Sequence, residues 1–316
     1  MQTVLAGDIG GTKTRLAIAE VSGSQVKPVF DESFQSRNFP SFDSLLGEFL
    51  SGKAVPASAA FGIAGPVEGR SVDVTNLPWR IHADELMKRF GFSRCTLLND
   101  LEATACGLPA LCEEDLLTLQ DGFADAIGNA AVIAPGTGLG EAGLFWDGKV
   151  HRPFATEGGH SSFSPESELE MDLLKHLKAR YAHVSWERVV SGEGLLNIYE
   201  FLRMNLPDSS MRDAAAISQA ALDGSDATCV QALECFVKLL GTEAGNLALK
   251  VMSRSGIYIG GGIPPKILPV LKNGAFLEAF LNKGRMRHLL EKMPVRVILD
   301  DRAALYGAAL RAAEAA

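Results

Sequence analysis

A turn rich in glycine and threonine, set between two apolar runs, occurs twice in this sequence, and the repetition restricts what the chain can fold into. The first copy is Thr3-Val4-Leu5-Ala6-Gly7-Asp8-Ile9-Gly10-Gly11-Thr12-Lys13-Thr14-Arg15-Leu16-Ala17-Ile18-Ala19. Turn residues between two β-capable runs predict a hairpin. Gly10 and Gly11 let the backbone come close to a bulky anion, and the amides and hydroxyls of this turn are donors suited to phosphate oxygens. A Walker A loop needs Gly directly before its Lys and a helix directly after it. Here Thr12 precedes Lys13 and a strand pattern follows. A Rossmann fingerprint also opens a helix and fails on the same ground. From these residues alone, a plain glycine-rich turn stays open as the alternative.

The second copy is Ala131-Val132-Ile133-Ala134-Pro135-Gly136-Thr137-Gly138-Leu139-Gly140-Glu141-Ala142-Gly143-Leu144-Phe145. It again runs apolar strand, Gly/Thr turn, apolar strand. Two such hairpins, one in each half, resemble the sugar kinase, actin and heat-shock-chaperone ATPase superfamily. That resemblance implies turns that clamp ATP phosphates from opposite sides of a cleft.

The chain has 316 residues, 47% of them hydrophobic and 22% charged, which suits a globular protein of roughly two ordinary domains. A formal net charge of −8 disfavours partnership with nucleic acid or an anionic membrane surface. No apolar run is long enough to span a bilayer. The first residues lead into a strand without a basic n-region or cleavage pattern, so a cytoplasmic location is expected. The five cysteines, Cys95, Cys106, Cys112, Cys229 and Cys235, form no CxxC pair and read as reduced, mostly buried thiols.

Periodicity and punctuation then order the chain. Helices are predicted near Ser41–Ser51, with Ser41 as N-cap, and at Ala83–Phe90. Ala59–Ala64 reads as a buried strand ending at Gly65-Pro66, and Thr96-Leu97-Leu98 as a strand delivering Asn99-Asp100 to a helix of small residues. In the second half, helices are predicted from Pro165-Glu166 to about Arg180 with Leu169, Leu173, Leu174 and Leu177 on one face, from Ser185, and over Gly194–Met204. A long amphipathic helix is expected from Asp226 to Ser253, ending at Ser255-Gly256. Ile257-Tyr258-Ile259 and Val295–Leu299 read as strands, and the alanine-rich tail from Arg302 as a closing helix. The expected domains are 1–108 with 301–316, and 109–300.

Several segments carry possible chemistry. Asp100 ends an apolar strand, where ligands bind in α/β folds; the alternative is an N-cap for the next helix. Glu157-Gly158-Gly159-His160 has the Glu-x-x-His spacing of di-iron ligands. Two internal glycines argue against a helix, leaving a loop that offers a carboxylate and an imidazole to a small polar molecule, or a simple turn. Glu187 near a helix start reads by itself as a partner of the helix dipole. Taken together, Asn99, Asp100, Glu157, His160 and Glu187 form a set of hydroxyl partners without Lys or Arg, which suits a neutral polyhydroxylated ligand. The Asn76-Leu77-Pro78-Trp79 loop could add a polar contact and an apolar platform. Gly260-Gly261-Gly262 allows a flat or anionic group near the backbone, or is strand punctuation.

In this order the segments Asp8–Thr12, Leu98–Asp100, Pro135–Gly140, Glu157–His160, Glu187–Gly192 and Gly260–Gly262 resemble the bacterial (proteobacterial-type) glucokinase family over essentially the whole chain. Leu101 departs from it, since a Phe commonly follows the Asn-Asp step. The chain lacks the Cys/His zinc cluster of some relatives in the repressor–kinase (ROK) family. The resemblance implies an α/β, two-domain actin-like (ribonuclease H-like) ATPase fold with a duplicated core and a central cleft that closes on sugar. It implies phosphorylation of glucose at O6 by ATP with Mg²⁺, release of ADP, and a homodimer. Asp100 is implied as general base, and Asn99, Glu157, His160 and Glu187 as glucose ligands. Gly10, Gly11, Thr12, Gly136, Thr137 and Gly138 are implied as phosphate donors, Asp8 as a metal-water or phosphate-side partner, and Gly261 as part of the adenosine turn. A kinase for fructose or mannose would use nearly the same residues. A sugar-sensing regulator would be expected to carry a DNA-binding helix pair ahead of the first hairpin.

Overall fold

The structure, a computed structural model, describes residues 1–123, 126–204 and 213–314. The last two residues of the predicted closing segment, 315–316, lie outside them, as do 124–125 and 205–212 of the predicted second domain. The chain divides into two units, Met1–Asp115 with Asp300–Ala316, and Leu116–Leu299.

In the first unit, β1 (Gln2–Ile9) and β2 (Lys13–Ser22) form the antiparallel hairpin expected from the opening segment, and β3 (Gln25–Gln35) extends it. β4 (Ser58–Ile63) lies parallel to β1 on the other side; every one of its residues is buried, as befits an interior parallel strand. Three short strands, β5 (Val67–Glu68), β6 (Ser71–Asp73) and β7 (Arg80–His82), form a separate small sheet. β8 (Arg94–Asn99) completes the main sheet in the order β3-β2-β1-β4-β8.

Strand alternation divides the apolar side chains between two faces. Leu5, Ile9, Leu16 and Phe61 pack with Phe42, Leu45 and Phe49 of α1 (Phe42–Leu50), whose N-cap Ser41 accepts from the Ser44 amide. Val4, Ala6, Ala17, Ala19 and Ala60 on the opposite face pack against Leu305, Ala308, Ala309 and Ala312 of the C-terminal helix Ala303–Ala313. α2 (Ala83–Phe90) has the predicted bounds, with Gly91 as its left-handed C-cap. The next helix, α3 (Asp100–Gly107), crosses the C-terminal helix with backbones nearly touching. A methyl group on Gly107 would overlap the Ala303 carbonyl, and one on Gly307 the Ala103 carbonyl. That crossing fixes the helix whose first residue is Asp100.

The second unit repeats the plan. Its strands are β9 (Leu116–Gln120), β10 (Ala130–Pro135), β11 (Leu139–Trp146), β12 (His151–Thr156), β13 (Gly256–Ile259) and β14 (Val295–Ile298). The order is β12-β11-β10-β13-β14-β9, with β10, β11 and β12 antiparallel, β10, β13 and β14 parallel, and β9 antiparallel at the far edge. Three meandering strands followed by two parallel ones thus occur in both units, which is the duplicated core that the resemblance implies. The helices are α4 (Glu168–Lys178), α5 (Gly192–Leu202), α6 (Ala214–Leu222), α7 (Ala227–Val251), α8 (Leu268–Leu271), α9 (Ala275–Leu281) and α10 (Arg287–Leu290). Among the described residues, no helix is long and apolar enough to cross a membrane.

Several local expectations are corrected. α4 starts at Glu168, because Ser167 and Glu170 form a capping box there; Leu169 is exposed and Leu173 and Leu177 are the buried pair. Ser185 opens only a 3-10 turn (Trp186–Arg188), since Ser191 already caps α5. α7 ends at Val251, where Met252 takes the left-handed conformation (φ 53°), before Ser255-Gly256 is reached. Strands β9 and β12 were not anticipated.

Candidate active site

In the first unit the β1–β2 turn is held from behind. Gly10 N–H donates to the Lys13 carbonyl (3.0 Å), and the buried Ser36 hydroxyl donates to the Gly10 carbonyl (2.8 Å) while lying 2.9 Å from Thr14 Oγ1. Ser36 N–H donates to the Thr12 carbonyl (2.9 Å). These bonds occupy turn carbonyls and fix its curvature. Thr12 and Lys13 are exposed at the tip.

Asp8 pairs across the hairpin with Arg15, a residue not singled out from sequence although the register places both on one face. Arg15 holds Asp31 through two bonds (2.7 and 2.6 Å) and Asp301 through a third (3.2 Å), so the second neighbour of Asp8 is an anchored carboxylate. Burial, then the charges of Asp100 and Asp301, push the Asp8 carboxyl up to about 7 against the pull of Lys13 and Arg15. Asp8 therefore stands where negative charge is crowded.

Asp100 occupies the first position of α3 and is not its N-cap. Asn99 is the cap, its Oδ1 accepting from the amides of Leu101 (2.9 Å) and Glu102 (3.4 Å) and its Nδ2 donating to the Gly65 carbonyl (3.3 Å). Asp100 Oδ1 also accepts from Leu101 N–H at 2.9 Å. A carboxylate at a helix N-terminus lies at the positive end of the helix dipole, a favourable place for it. Of the Asn76–Trp79 loop, Asn76 is exposed in the left-handed conformation (φ 64°), beside Gly11. Trp79 is no platform. Its ring is 3% exposed, packs near Phe42, and donates from Nε1 to the Phe39 carbonyl.

In the second unit the β10–β11 turn closes through Gly136 N–H to the Gly138 carbonyl (2.8 Å), and the Gly136 carbonyl accepts from Gly192 N–H at the start of α5 (2.9 Å). Glu187 reaches this turn. Its Oε2 accepts from Leu139 N–H at 3.0 Å, and a methyl group on Gly138 would overlap that oxygen. Trp186, buried against Phe163, and the Ser191 hydroxyl donating to the Glu187 carbonyl (2.7 Å) hold the residue in place.

Glu157 precedes a 3-10 turn, Gly158–His160, that lies on β11. The His160 ring stands between two carboxylates, with Nε2 3.8 Å from Glu157 Oε2 and Nδ1 3.9 Å from Glu187 Oε1. These separations exceed hydrogen-bond length, so the facing atoms retain capacity for a ligand's hydroxyls. The structure thus brings Glu157, His160 and Glu187 together. In the same unit Gly261 (φ 84°) lies against the Pro135 carbonyl, where any side chain would overlap, so the third glycine turn adjoins the β10–β11 turn.

Mg²⁺ usually keeps several waters and takes one or two carboxylates together with substrate phosphates. Among the described residues no group of three or more His, Cys, Asp or Glu could hold a metal unaided. The crowded carboxyl of Asp8, near Asp100 and at the β1–β2 turn, suits a cation that shares its ligands with a nucleotide.

The order of the motifs and the duplicated fold agree with what comparison shows. A family model described as Glucokinase matches residues 5–315. A glucokinase from a Nostoc species is 41% identical over 340 residues, covering 99% of both chains. One from a Synechocystis species is 40% identical, covering 98% of both. Among solved structures, the glucokinase of an Antarctic psychrotroph matches with a TM-score of 0.89 at 32% identity, covering 99% of both chains.

Proposed function

The chain belongs to the glucokinase family, and from that premise we propose that it transfers the γ-phosphoryl group of ATP to O6 of glucose with Asp100 as general base. The full-length match to glucokinases at 41% identity carries this reading. Asp100 takes the O6 proton as O6 attacks the γ-phosphorus; the bond from that phosphorus to the bridging oxygen breaks, and ADP leaves. Phosphoryl transfer of this kind depends mainly on positioning and electrostatic stabilisation. The helix start that fixes Asp100, and the capping of α3 by Asn99, support that role. Asn99 spends its carbonyl on the cap and one amide N–H on the Gly65 carbonyl, which leaves the second amide N–H to meet a sugar hydroxyl. Glu157, His160 and Glu187 offer two carboxylates around one imidazole, a pattern that recognises neighbouring hydroxyls.

Gly10, Gly11 and Thr12, with Gly136, Thr137 and Gly138, would supply donors to the ATP phosphates, and Gly261 would adjoin the adenosine. Asp8 would hold Mg²⁺, which when bound neutralises charge on the β- and γ-phosphates. The family resemblance further supports a homodimer in the cytoplasm.

The test is ADP release from Mg-ATP over a panel of neutral hexoses, with Asp100→Asn beside the wild type. Glucose is expected to be preferred, and the variant to bind glucose while losing roughly 10²-fold or more in turnover. Preference for fructose or mannose would keep the chemistry and change the acceptor. Sugar binding without turnover on any hexose would overturn the kinase reading.

A further inference from the structure

Beneath the Glu157–His160 turn lies a pair of buried carboxyls that the reaction does not use. Glu141 of β11 is 2% exposed and Glu243 of α7 is fully buried. Their side chains lie within hydrogen-bonding reach of each other. Glu141 Oε2 presses on the turn from below: a methyl group on Gly158 would overlap that oxygen. Thr156, opposite Glu141 in the β11–β12 register, ties the same two elements together. Its hydroxyl donates to the Glu141 carbonyl (3.0 Å) and accepts from Gly158 N–H (3.2 Å).

The polar partners are unevenly divided. Glu243 accepts from Asn246 Nδ2 (2.8 Å) and from Lys250 Nζ (3.3 Å), whereas Glu141 Oε1 is buried with no partner among the described residues. Two buried carboxylates without a donor between them repel; one proton turns the contact into a charge-assisted O–H···O bond.

We propose that Glu141 and Glu243 share one proton, and that Glu141, held by this bond against Gly158, is a positioning residue that sets Glu157 and His160 for the sugar. The proton resides on Glu141, because Lys250 stabilises the ionised form of Glu243. Burial and the charge of Glu243 push Glu141 up to about 8, with Lys250 opposing. The other charged groups around the pair are Lys283, which acts on Glu243, and Glu166 and Glu170, which act on Lys283. Loss of the shared proton drives the carboxyls apart and moves the turn above them.

This inference rests on the assignment of Glu157 and His160 to the sugar. The experiment is the pH dependence, from 6.5 to 9.5, of the KM for glucose and the KM for ATP in wild type, Glu141→Gln, Glu141→Ala and His160→Ala. For the wild type, the glucose KM should climb about tenfold per pH unit above 8, the response to losing one required proton, while the ATP KM and kcat change little. Glu141→Gln carries a neutral donor at every pH, so its glucose KM should lose that climb. Glu141→Ala should raise the glucose KM across the whole range. Parallel profiles for wild type and Glu141→Gln overturn the proposal. If His160→Ala leaves the glucose KM unchanged, the assignment of the sugar site has failed instead.

Discussion

In the second phosphate turn, Gly138→Ala should weaken glucose binding although the residue is assigned to the nucleotide. Gly138 has no left-handed backbone that alanine would resist, so the perturbation is the methyl group alone. That group would overlap Glu187 Oε2 and lie 3.3 Å from Cδ, and the flexible end of Glu187 gives way more readily than the backbone. Rotation of the carboxylate breaks its 3.0 Å bond from Leu139 N–H and shifts the atom facing His160. A sugar hydroxyl's hydrogen bond to the displaced Glu187 carboxylate, on the role proposed for it, contributes about 1.5–3 kcal/mol, and each 1.4 kcal/mol is about tenfold. The glucose KM should therefore rise roughly 10- to 100-fold. Initial rates would be measured against glucose at saturating Mg-ATP, then against ATP at saturating glucose. The ATP KM should change by no more than about threefold, and the melting temperature should fall modestly, because the Leu139–Glu187 bond is lost from the folded protein as well. Combination with Glu187→Gln should be less than additive, because both changes disturb one contact. A rise confined to the ATP KM, or strict additivity in the double variant, would refute the reasoning.

Three other outcomes follow from the geometry. Asp8→Asn should raise the Mg²⁺ concentration needed for half-maximal activity by roughly tenfold, because it removes the anionic partner proposed for the ion; a magnesium titration at fixed ATP checks this, and an unchanged midpoint refutes it. Gly261→Ala places a side chain on a left-handed backbone that abuts the Pro135 carbonyl, so it should cost about 1–3 kcal/mol of stability and raise the ATP KM, read by thermal melts and nucleotide titration. Glu141 is raised from 4.5 to about 8 in the folded protein, so its stabilising contribution is complete below about 4.5 and is lost as pH climbs through 8. Full expression of that shift is at most about 5 kcal/mol, and melts from pH 5 to 9 should fall less steeply for Glu141→Gln than for wild type.

The parts of the fold legible in the sequence were those whose signals are local. Both phosphate hairpins combine turn residues with alternating apolar strands, and α7 repeats its apolar face over many turns. The missed strands lie at the two edges of the second sheet. β12 carries Pro153 and has no buried residue, and β9, although it holds Leu116, Leu117 and Leu119, is short and only half-buried, too brief a run to declare a strand by itself. At Ser185 the local signals for a helix start are present, but burial of Trp186 and the cap at Ser191 leave room for one turn only. Trp79 misled for a related reason: a loop aromatic looks accessible until the Phe42 and Phe39 contacts that bury it are known. For the candidate site, residue type and order singled out Glu157, His160 and Glu187, which the fold brings together. The support beneath them was hidden, because Glu141 and Glu243 meet only through the packing of α7 on the sheet.

The alanine-faced C-terminal helix has a bearing on how the protein is born. The first unit's sheet leaves the ribosome early, with Val4, Ala6, Ala17, Ala19 and Ala60 on a face that only residues after Asp300 will cover. Synthesis of the intervening unit takes roughly 10–40 s at about 5–20 residues per second. During that interval the amino-terminal half is an unfinished sandwich, whereas the later unit holds all of its own strands as soon as its own synthesis ends. Nascent chains should thus mature in the reverse of their order of synthesis, and α3, with Asp100 at its tip, should be locked last.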